Sequence, residues 1–244
     1  MSPIDLLTAH GFTSLTLTHP TVPNPKLAAV LILLYHSPND PNHHLRAKPL
    51  SPAAEKTTQT PDLVSTALRE ANEEVGLPTD TNNIRVLCTL EPVLSLHKII
   101  VTPVVAYLQD PRVLETLRPC EGEVARIFTF PFEAVLDPGV LVEVGEPLVG
   151  KGTEDWGYEE DLHHWEDNVV AQLNDTCYRY HRFRSSASPV TGLSADILIK
   201  AAQIAYHPRK PTYNPIAPDQ ITGYDFILLI LSHKESDTVP LSGK

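Results

Sequence analysis

The sequence contains few of the features that characterise secreted or membrane-spanning proteins. Its three cysteines, Cys88, Cys120 and Cys177, are widely spaced and odd in number, so free thiols in a reducing compartment are expected. The longest apolar stretches, residues 27–35 and 226–231, are too short to span a bilayer. We therefore predict a soluble protein with no disulfide framework and no membrane partner.

Basic residues are also scarce. The chain has 19 Lys and Arg against 30 Asp and Glu, which gives a formal net charge of −11 and a pI near 5.4. A nucleic-acid-binding surface needs a basic stripe to neutralise phosphates, so no nucleic-acid partner is expected. The first residues lack both the basic start and the continuous apolar run of a signal peptide.

The chain does have enough apolar sequence for a full core, since 42% of its 244 residues are hydrophobic, and we expect one domain with insertions. Residues 37–61 are rich in Pro, Asn and Thr and are predicted to be a long loop. The apolar pattern predicts helices that end at Val75 and Ala205. Strands are predicted at 27–35, 84–90, 99–108, 125–130 and 176–184.

The first of these helices has clear start and stop signals. Thr60 is a candidate N-cap, and Pro61 suits the first helical position. Gly76 is typical of the residue that follows a helix, and Pro78 prevents continuation. The intervening apolar residues recur at helical spacing, so one face of this helix is expected to lie on the core.

The same helix concentrates carboxylates in the stretch REANEEVG. At about 100° per residue, Glu70, Glu73 and Glu74 fall on one flank of the apolar stripe and are expected to face the same point. No Lys or Arg lies three or four residues after any of them to relieve the repulsion. The spacing alone leaves two interpretations open: a solvated charged face, or a site for a hard cation such as Mg²⁺ or Mn²⁺.

The stretch REANEEVGL resembles the second half of the Nudix box, whose family pattern is G-x5-E-x7-R-E-U-x-E-E-x-G-U, with U a bulky aliphatic residue. Arg69 and Glu70 match R-E, Glu73 and Glu74 match E-E, and the glycine and the final aliphatic residue also match. Ala71 occupies a U position with a smaller side chain. The resemblance implies an α/β/α sandwich with a mixed sheet.

The first half of the box departs from the family. The coenzyme A diphosphatase branch carries a phrase like F-P-G-G-K there, whereas this chain reads SPAAEK, with Ala53 and Ala54 in place of two glycines. Glycine adopts positive φ without steric cost and alanine does not, so the loop is expected to differ in shape. The upstream acidic position is missing as well. An enzyme with a divergent loop and a chain with reduced or lost activity both remain open.

Three other stretches are similar to the coenzyme A branch and follow the family order. They are HLR at 44–46, GEVARIFTFPFEAVL at 122–136 and HRFRSSASPVTGLSADIL at 181–198. We therefore expect a Nudix domain at 25–205, with an insertion or lid at 139–173. A C-terminal extension is expected at 206–232 and a disordered tail at 233–244.

The resemblance implies hydrolysis of a phosphoanhydride bond, in coenzyme A or acyl-CoA, to 3′,5′-ADP and a phosphopantetheine. It assigns Mg²⁺ or Mn²⁺ to Glu70, Glu73 and Glu74 and a positioning role to Arg69. It assigns the general-base role to Glu73 or to Glu123, and an ordinary surface glutamate is the alternative interpretation of Glu123. The alternatives are a general nucleoside diphosphate-X hydrolase and a catalytically impaired nucleotide-binding module.

The expected partner is thus a small nucleotide substrate, and the oligomeric state is left open. Relatives in the coenzyme A branch are often peroxisomal, but the C-terminal LSGK is not an S-K-L address. A cytoplasmic or peroxisomal location is therefore expected, without direct support for import.

Overall fold

The computed structural model describes residues 1–12, 26–37, 40, 44–49, 53–55, 62–78, 82–120 and 126–232. The helices are α1 (Pro3–His10), α2 (Leu63–Val75), α3 (Val140–Glu143), α4 (Gly192–Ala205) and α5 (Gly223–Ser232), with 3₁₀ turns at Pro111–Thr116, Phe132–Val135 and Ala171–Leu173. The strands are β1 (Leu27–His36), β2 (Leu45–Pro49), β3 (Ala53–Glu55), β4 (Ile84–Thr89), β5 (Val93–Leu94), β6 (Ile100–Leu108), β7 (Phe130–Pro131), β8 (His163–Val170), β9 (Thr176–Phe183) and β10 (Val190–Thr191).

The main sheet of the described chain runs in the order β4-β6-β1-β2-β7, with β3 paired to β1 and β5 paired to β6. The β1–β6 pair is parallel, with Leu27 opposite Ile100, and the other pairs are antiparallel. A second sheet has the order β10-β9-β8 and is antiparallel. The predicted α/β class with a mixed sheet is therefore confirmed.

Strand β1 is buried on both faces, and its alternation separates two cores. Ala29, Leu31 and Leu33 pack with the apolar face of α2. Ala28 and Val30 point to the opposite side, where they share a core with α4 and α1. Because successive side chains of a strand point to opposite faces, the helices cover the sheet from both sides.

The sequence-based boundaries are right for the strongly apolar strands, whereas several polar segments differ from the prediction. The predicted loop 37–61 contains two strands, β2 and β3, which pair with β1. The strand predicted at 125–130 is limited to β7 in the described residues, since 126–129 form no strand.

The segment predicted as an irregular insertion, 139–173, contains helix α3 and the eight-residue strand β8. Its assignment as an insertion, like the other domain limits, stays a prediction. No helix in the described ranges is long and apolar enough to cross a membrane.

Candidate functional site

Helix α2 carries the candidate site and begins later than the sequence suggested. Its N-cap is Asp62, whose carboxylate accepts the backbone N–H of Val64 at 3.2 Å and the hydroxyl of Ser65. The expected cap, Thr60, was therefore wrong, because an aspartate two residues later performs the same function closer to the apolar stripe.

The predicted end of α2 is confirmed. Gly76 has φ 70° and ψ 26°, a left-handed conformation that L side chains rarely adopt. Its N–H donates to the Asn72 carbonyl oxygen at 2.8 Å, and the Asn72 side chain donates to the Leu77 carbonyl oxygen at 2.8 Å. These bonds fix the last turn of the helix, which carries Glu73 and Glu74.

Arg69 joins two of the three box glutamates at the surface of α2. One guanidinium nitrogen, Nη1, lies 3.0 and 2.9 Å from the two carboxylate oxygens of Glu73. The other, Nη2, lies 2.6 Å from an oxygen of Glu70. The hydrogen bonds with Glu73 raise the pKa of Arg69 further above its usual value. The positive charge that relieves the carboxylate repulsion thus precedes the glutamates in the sequence.

Glu74 lies in a different environment from the other two. It is buried, with 7% of its surface exposed, between α2 and the sheet. Lys48 of β2 is 2% exposed and opposite Leu33, on the same side of the sheet as α2. Burial lowers the pKa of Lys48 to about 8, and the nearby Glu74 carboxylate opposes this shift. A lysine and a glutamate therefore share the interface beneath α2.

The helical wheel suggested that the three glutamates face one common point. In the structure their side chains point to different partners. In the part of the chain that the structure describes, no group of three His, Cys, Asp or Glu side chains is placed to hold a metal ion. The physical reason is that Arg69 draws Glu70 and Glu73 to itself, while Glu74 lies towards Lys48. Their assignment as metal ligands stays a prediction.

Glu123, the candidate general base, lies outside the described residues. Cys120, three positions before it in the sequence, donates its backbone N–H to the Glu74 carbonyl oxygen at 2.8 Å. Arg118 donates likewise to the Val75 carbonyl oxygen at 3.0 Å. The chain leading towards Glu123 is thus attached to the end of α2.

The segment with two alanines in place of the family's glycines has an extended backbone. Ala53 and Ala54 lie in strand β3, opposite Ala29 and Ala28 of β1. An extended strand needs no positive φ, so alanine is compatible with this conformation. The segment that the family builds with two glycines is therefore part of the sheet in this chain.

The motif HLR also has a structural role that the sequence did not reveal. Arg46, its arginine, binds Glu146 through two hydrogen bonds of 2.8 Å and donates to the Thr129 hydroxyl at 3.0 Å. The Glu146 side chain is 4% exposed. The sequence placed this arginine in a predicted loop, so the signal that could have identified its role was its position in a motif similar to the family.

Two plant proteins and one bacterial protein are among the curated sequences similar to this chain. Nudix hydrolase 15, mitochondrial, of Arabidopsis thaliana is 31% identical over 201 residues, which is 78% of this chain and 61% of that protein. Nudix hydrolase 22, chloroplastic, of the same plant is 30% identical over 202 residues, or 78% of this chain and 58% of that protein. The uncharacterized Nudix hydrolase NudL of Pectobacterium atrosepticum is 40% identical over 81 residues, 33% of this chain and 38% of that protein.

The chain thus spans about three-fifths of the length of the two plant relatives. No family model matches it. A solved structure of a Nudix hydrolase from M. smegmatis, RenU, is 18% identical and covers 47% of this chain and 74% of that chain, with a TM-score of 0.31. That score is too low to bear on the fold.

Proposed function

We propose that this chain is a hydrolase of the Nudix family, which its curated relatives support, and that it cleaves a phosphoanhydride bond in coenzyme A or acyl-CoA. The observation that carries the proposal is the arrangement on α2, where Arg69 holds Glu70 and Glu73 at a capped helix end. The relatives' names give a family and no substrate. The choice of coenzyme A rests on the resemblance of residues 44–46, 122–136 and 181–198 to that branch of the family.

The residues present fit a hard divalent ion in their chemistry, because carboxylate oxygens are the ligands that Mg²⁺ and Mn²⁺ prefer. Glu70 and Glu73 lie at the helix surface, and the Arg69 side chain that pairs with them is 46% exposed. Glu70, Glu73 and Glu74 would hold the ion, which requires the Glu74 side chain to turn from Lys48 towards the other two. A bound ion would neutralise diphosphate charge and lower the pKa of an attacking water.

The chain's own side chains would orient the carboxylates, accept a proton and hold the neighbouring segments in place. Arg69 would keep the Glu70 and Glu73 carboxylates oriented, because a guanidinium fixes carboxylates through directed hydrogen bonds. Glu73 or Glu123 would accept the proton of the water. The ion pair between Arg46 and Glu146, which ties β2 to the chain after α3, would hold the neighbouring segments in place.

A general nucleoside diphosphate-X hydrolase is the alternative within the enzymes, since substrate choice lies outside the box. Two observations favour a different class, a nucleotide-binding module without catalysis. Ala53 and Ala54 are part of the sheet, and Lys48 lies beneath α2 beside Glu74. An internal cation at that place can stabilise the carboxylate without a metal ion.

The test is product analysis by mass spectrometry after incubation with coenzyme A, ADP-ribose or NADH in Mg²⁺ or Mn²⁺. We expect 3′,5′-ADP from coenzyme A, and a loss of about 100-fold or more in Glu73→Gln. Glu143→Gln removes an exposed carboxylate from α3 and serves as the matched control, with unchanged turnover.

Each other outcome supports an alternative. Cleavage of ADP-ribose or NADH in preference to coenzyme A indicates the general hydrolase. Binding of coenzyme A without cleavage indicates the binding module, and the variant Ala53→Gly/Ala54→Gly then shows whether the loop is the cause. A large rise in turnover on restoring the glycines identifies a damaged enzyme.

A further inference from the structure

A second candidate site lies on the α4 side of the sheet, away from α2. It is a cavity of about 730 Å³ between α4, β9, the β5–β6 turn and the start of α5. This volume lies in the range of small-molecule sites, about 300–1,000 Å³. Much of its wall is apolar, including Val93, Leu94, Ile99, Ile199, Ile221 and Phe226.

The cavity contains a carboxylate that is deep in the protein and still accessible. The Tyr178 hydroxyl donates to Asp196 Oδ2 at 2.5 Å, and both residues line the cavity. Burial raises the pKa of Asp196 to about 7, while the Tyr178 hydrogen bond opposes the shift. Asp196 is nevertheless half-buried rather than fully buried, and it is one of the residues that line the cavity.

Lys200 is the other formally charged residue in the described lining, and its charge is neutralised by an ion pair. Lys200, one turn after Asp196 on α4, donates to Glu91 Oε2 at 2.6 Å. Glu91 also accepts the backbone N–H of Tyr224 at 3.0 Å. The cation in the wall therefore has its counter-charge in place, and the cavity as a whole presents a carboxylate acceptor within an apolar surface.

A charged group in an apolar environment is stabilised by a counter-charge that also forms a hydrogen bond. We propose that this cavity binds a small amine, with an apolar body against α4 and α5 and an ammonium group on Asp196. A neutral ligand of the same shape gains the apolar contact without the ion pair. An anionic ligand meets the Asp196 carboxylate and is disfavoured.

This site is separate from the Nudix box. The cavity reaches Ala28 of β1, whose side chain points to the α4 face, whereas α2 packs on Ala29 and Leu31 of the opposite face. A strand that is covered on both sides divides the two sites. The proposal therefore does not depend on phosphoanhydride cleavage, and its failure would leave the proposed function untouched.

Isothermal titration calorimetry of the full chain at pH 8, with n-octylamine and n-octanol below their aggregation limits, tests the proposal. We expect octylamine to bind at one site at least about tenfold more tightly than octanol, because only the amine forms the ion pair. Equal affinities, or no binding of either probe, would overturn the proposal.

The matched variants are Asp196→Asn and Asp161→Asn. Asparagine keeps the acceptor for the Tyr178 hydroxyl, so Asp196→Asn is expected to retain octanol binding and to lose the preference for the amine. Asp161 is exposed and outside the cavity, and its variant controls for attraction to the net negative charge. A preference that survives in Asp196→Asn, or one that disappears in Asp161→Asn, contradicts the assignment.

A measurement on the unmodified chain covers the case in which Asp196→Asn does not fold. In ¹⁵N-labelled protein, octylamine is expected to shift the amide signals of Gly192 and Gly223, which line the cavity. The signal of Gly139, which does not line it, is expected to stay in place. Shifts confined to residues outside the lining place the amine elsewhere and refute the proposal.

Discussion

Removal of Glu146 tests whether the arginine of the HLR motif depends on a single buried partner. The Glu146 side chain is 4% exposed and that of Arg46 is 18% exposed, and two hydrogen bonds of 2.8 Å join them. In Glu146→Ala the guanidinium remains largely buried and loses its carboxylate partner, while its bonds to Thr129 and its hydrogen bond with Tyr35 remain. Loss of one partner of a buried pair costs about 3–5 kcal/mol.

The assay is urea unfolding, in which a loss of stability lowers the midpoint while the slope stays constant. Glu143→Ala changes an exposed glutamate of the same segment and should remain within about 0.5 kcal/mol of the unmodified chain. The double variant Arg46→Leu/Glu146→Leu removes both charges and should be clearly more stable than Glu146→Ala. A cost below about 1 kcal/mol for Glu146→Ala would refute a buried-pair role.

Three further predictions concern pH and backbone conformation. Burial lowers the pKa of Lys48 to about 8 in the folded chain. Between pH 8 and 10.5 Lys48 is therefore neutral in the folded chain and still protonated in the unfolded chain. Stability relative to Lys48→Met should therefore rise by up to about 3 kcal/mol in that window, and a flat difference in denaturant titrations would contradict this. Burial and then the nearby His181 lower the pKa of His163 to about 3. The stability of the chain relative to His163→Gln should therefore fall as the pH drops from 6.5 towards 3. An identical midpoint of acid unfolding in the two proteins would argue against this. Gly76→Ala should lower the free energy of unfolding by about 1–2 kcal/mol, because φ is 70° and alanine is strained in this conformation. No atom lies within 4 Å of the added Cβ, so the backbone strain is the whole cost. An unchanged melting temperature would show that the helix end can relax.

The elements that were predicted correctly are those whose sequence signals lie within their own residues. Strand β1 is a continuous apolar run, α2 ends at a glycine in the left-handed conformation, and α4 repeats apolar residues at helical spacing. Each of these signals lies within the element itself, so no knowledge of distant partners was needed.

Strand β8 illustrates why other elements were missed. Its sequence, HHWEDNVV, is polar and mostly exposed, so it has neither an apolar run nor a core-facing alternation. The strand forms because β9 supplies partners across the sheet: Asp167 binds Arg179 at 2.7 Å, and Glu166 binds Arg182 at 2.8 Å. Such cross-strand pairs become visible only when the register is known.

Glu74 shows the same limit at the candidate site. The helical wheel places it beside Glu70 and Glu73, but a wheel contains no information about the sheet beneath the helix. Lys48, 26 positions earlier in the sequence, lies on β2 under the same end of α2 and provides the nearby charge. The helical wheel placed the three carboxylates together, and the tertiary packing leaves Glu73 exposed, Glu70 half-buried and Glu74 buried.

The division of side chains along β1 also limits how the two candidate sites can influence each other. Alanines at 28 and 29 are buried on opposite faces, one at the cavity and the other beneath α2. Substitution of a cavity residue on α4 changes contacts only on one side of this strand. An effect of amine binding on phosphoanhydride cleavage would therefore require a shift of β1 itself, which its pairing with β2, β3 and β6 resists. Independent behaviour of the two sites is the expected result.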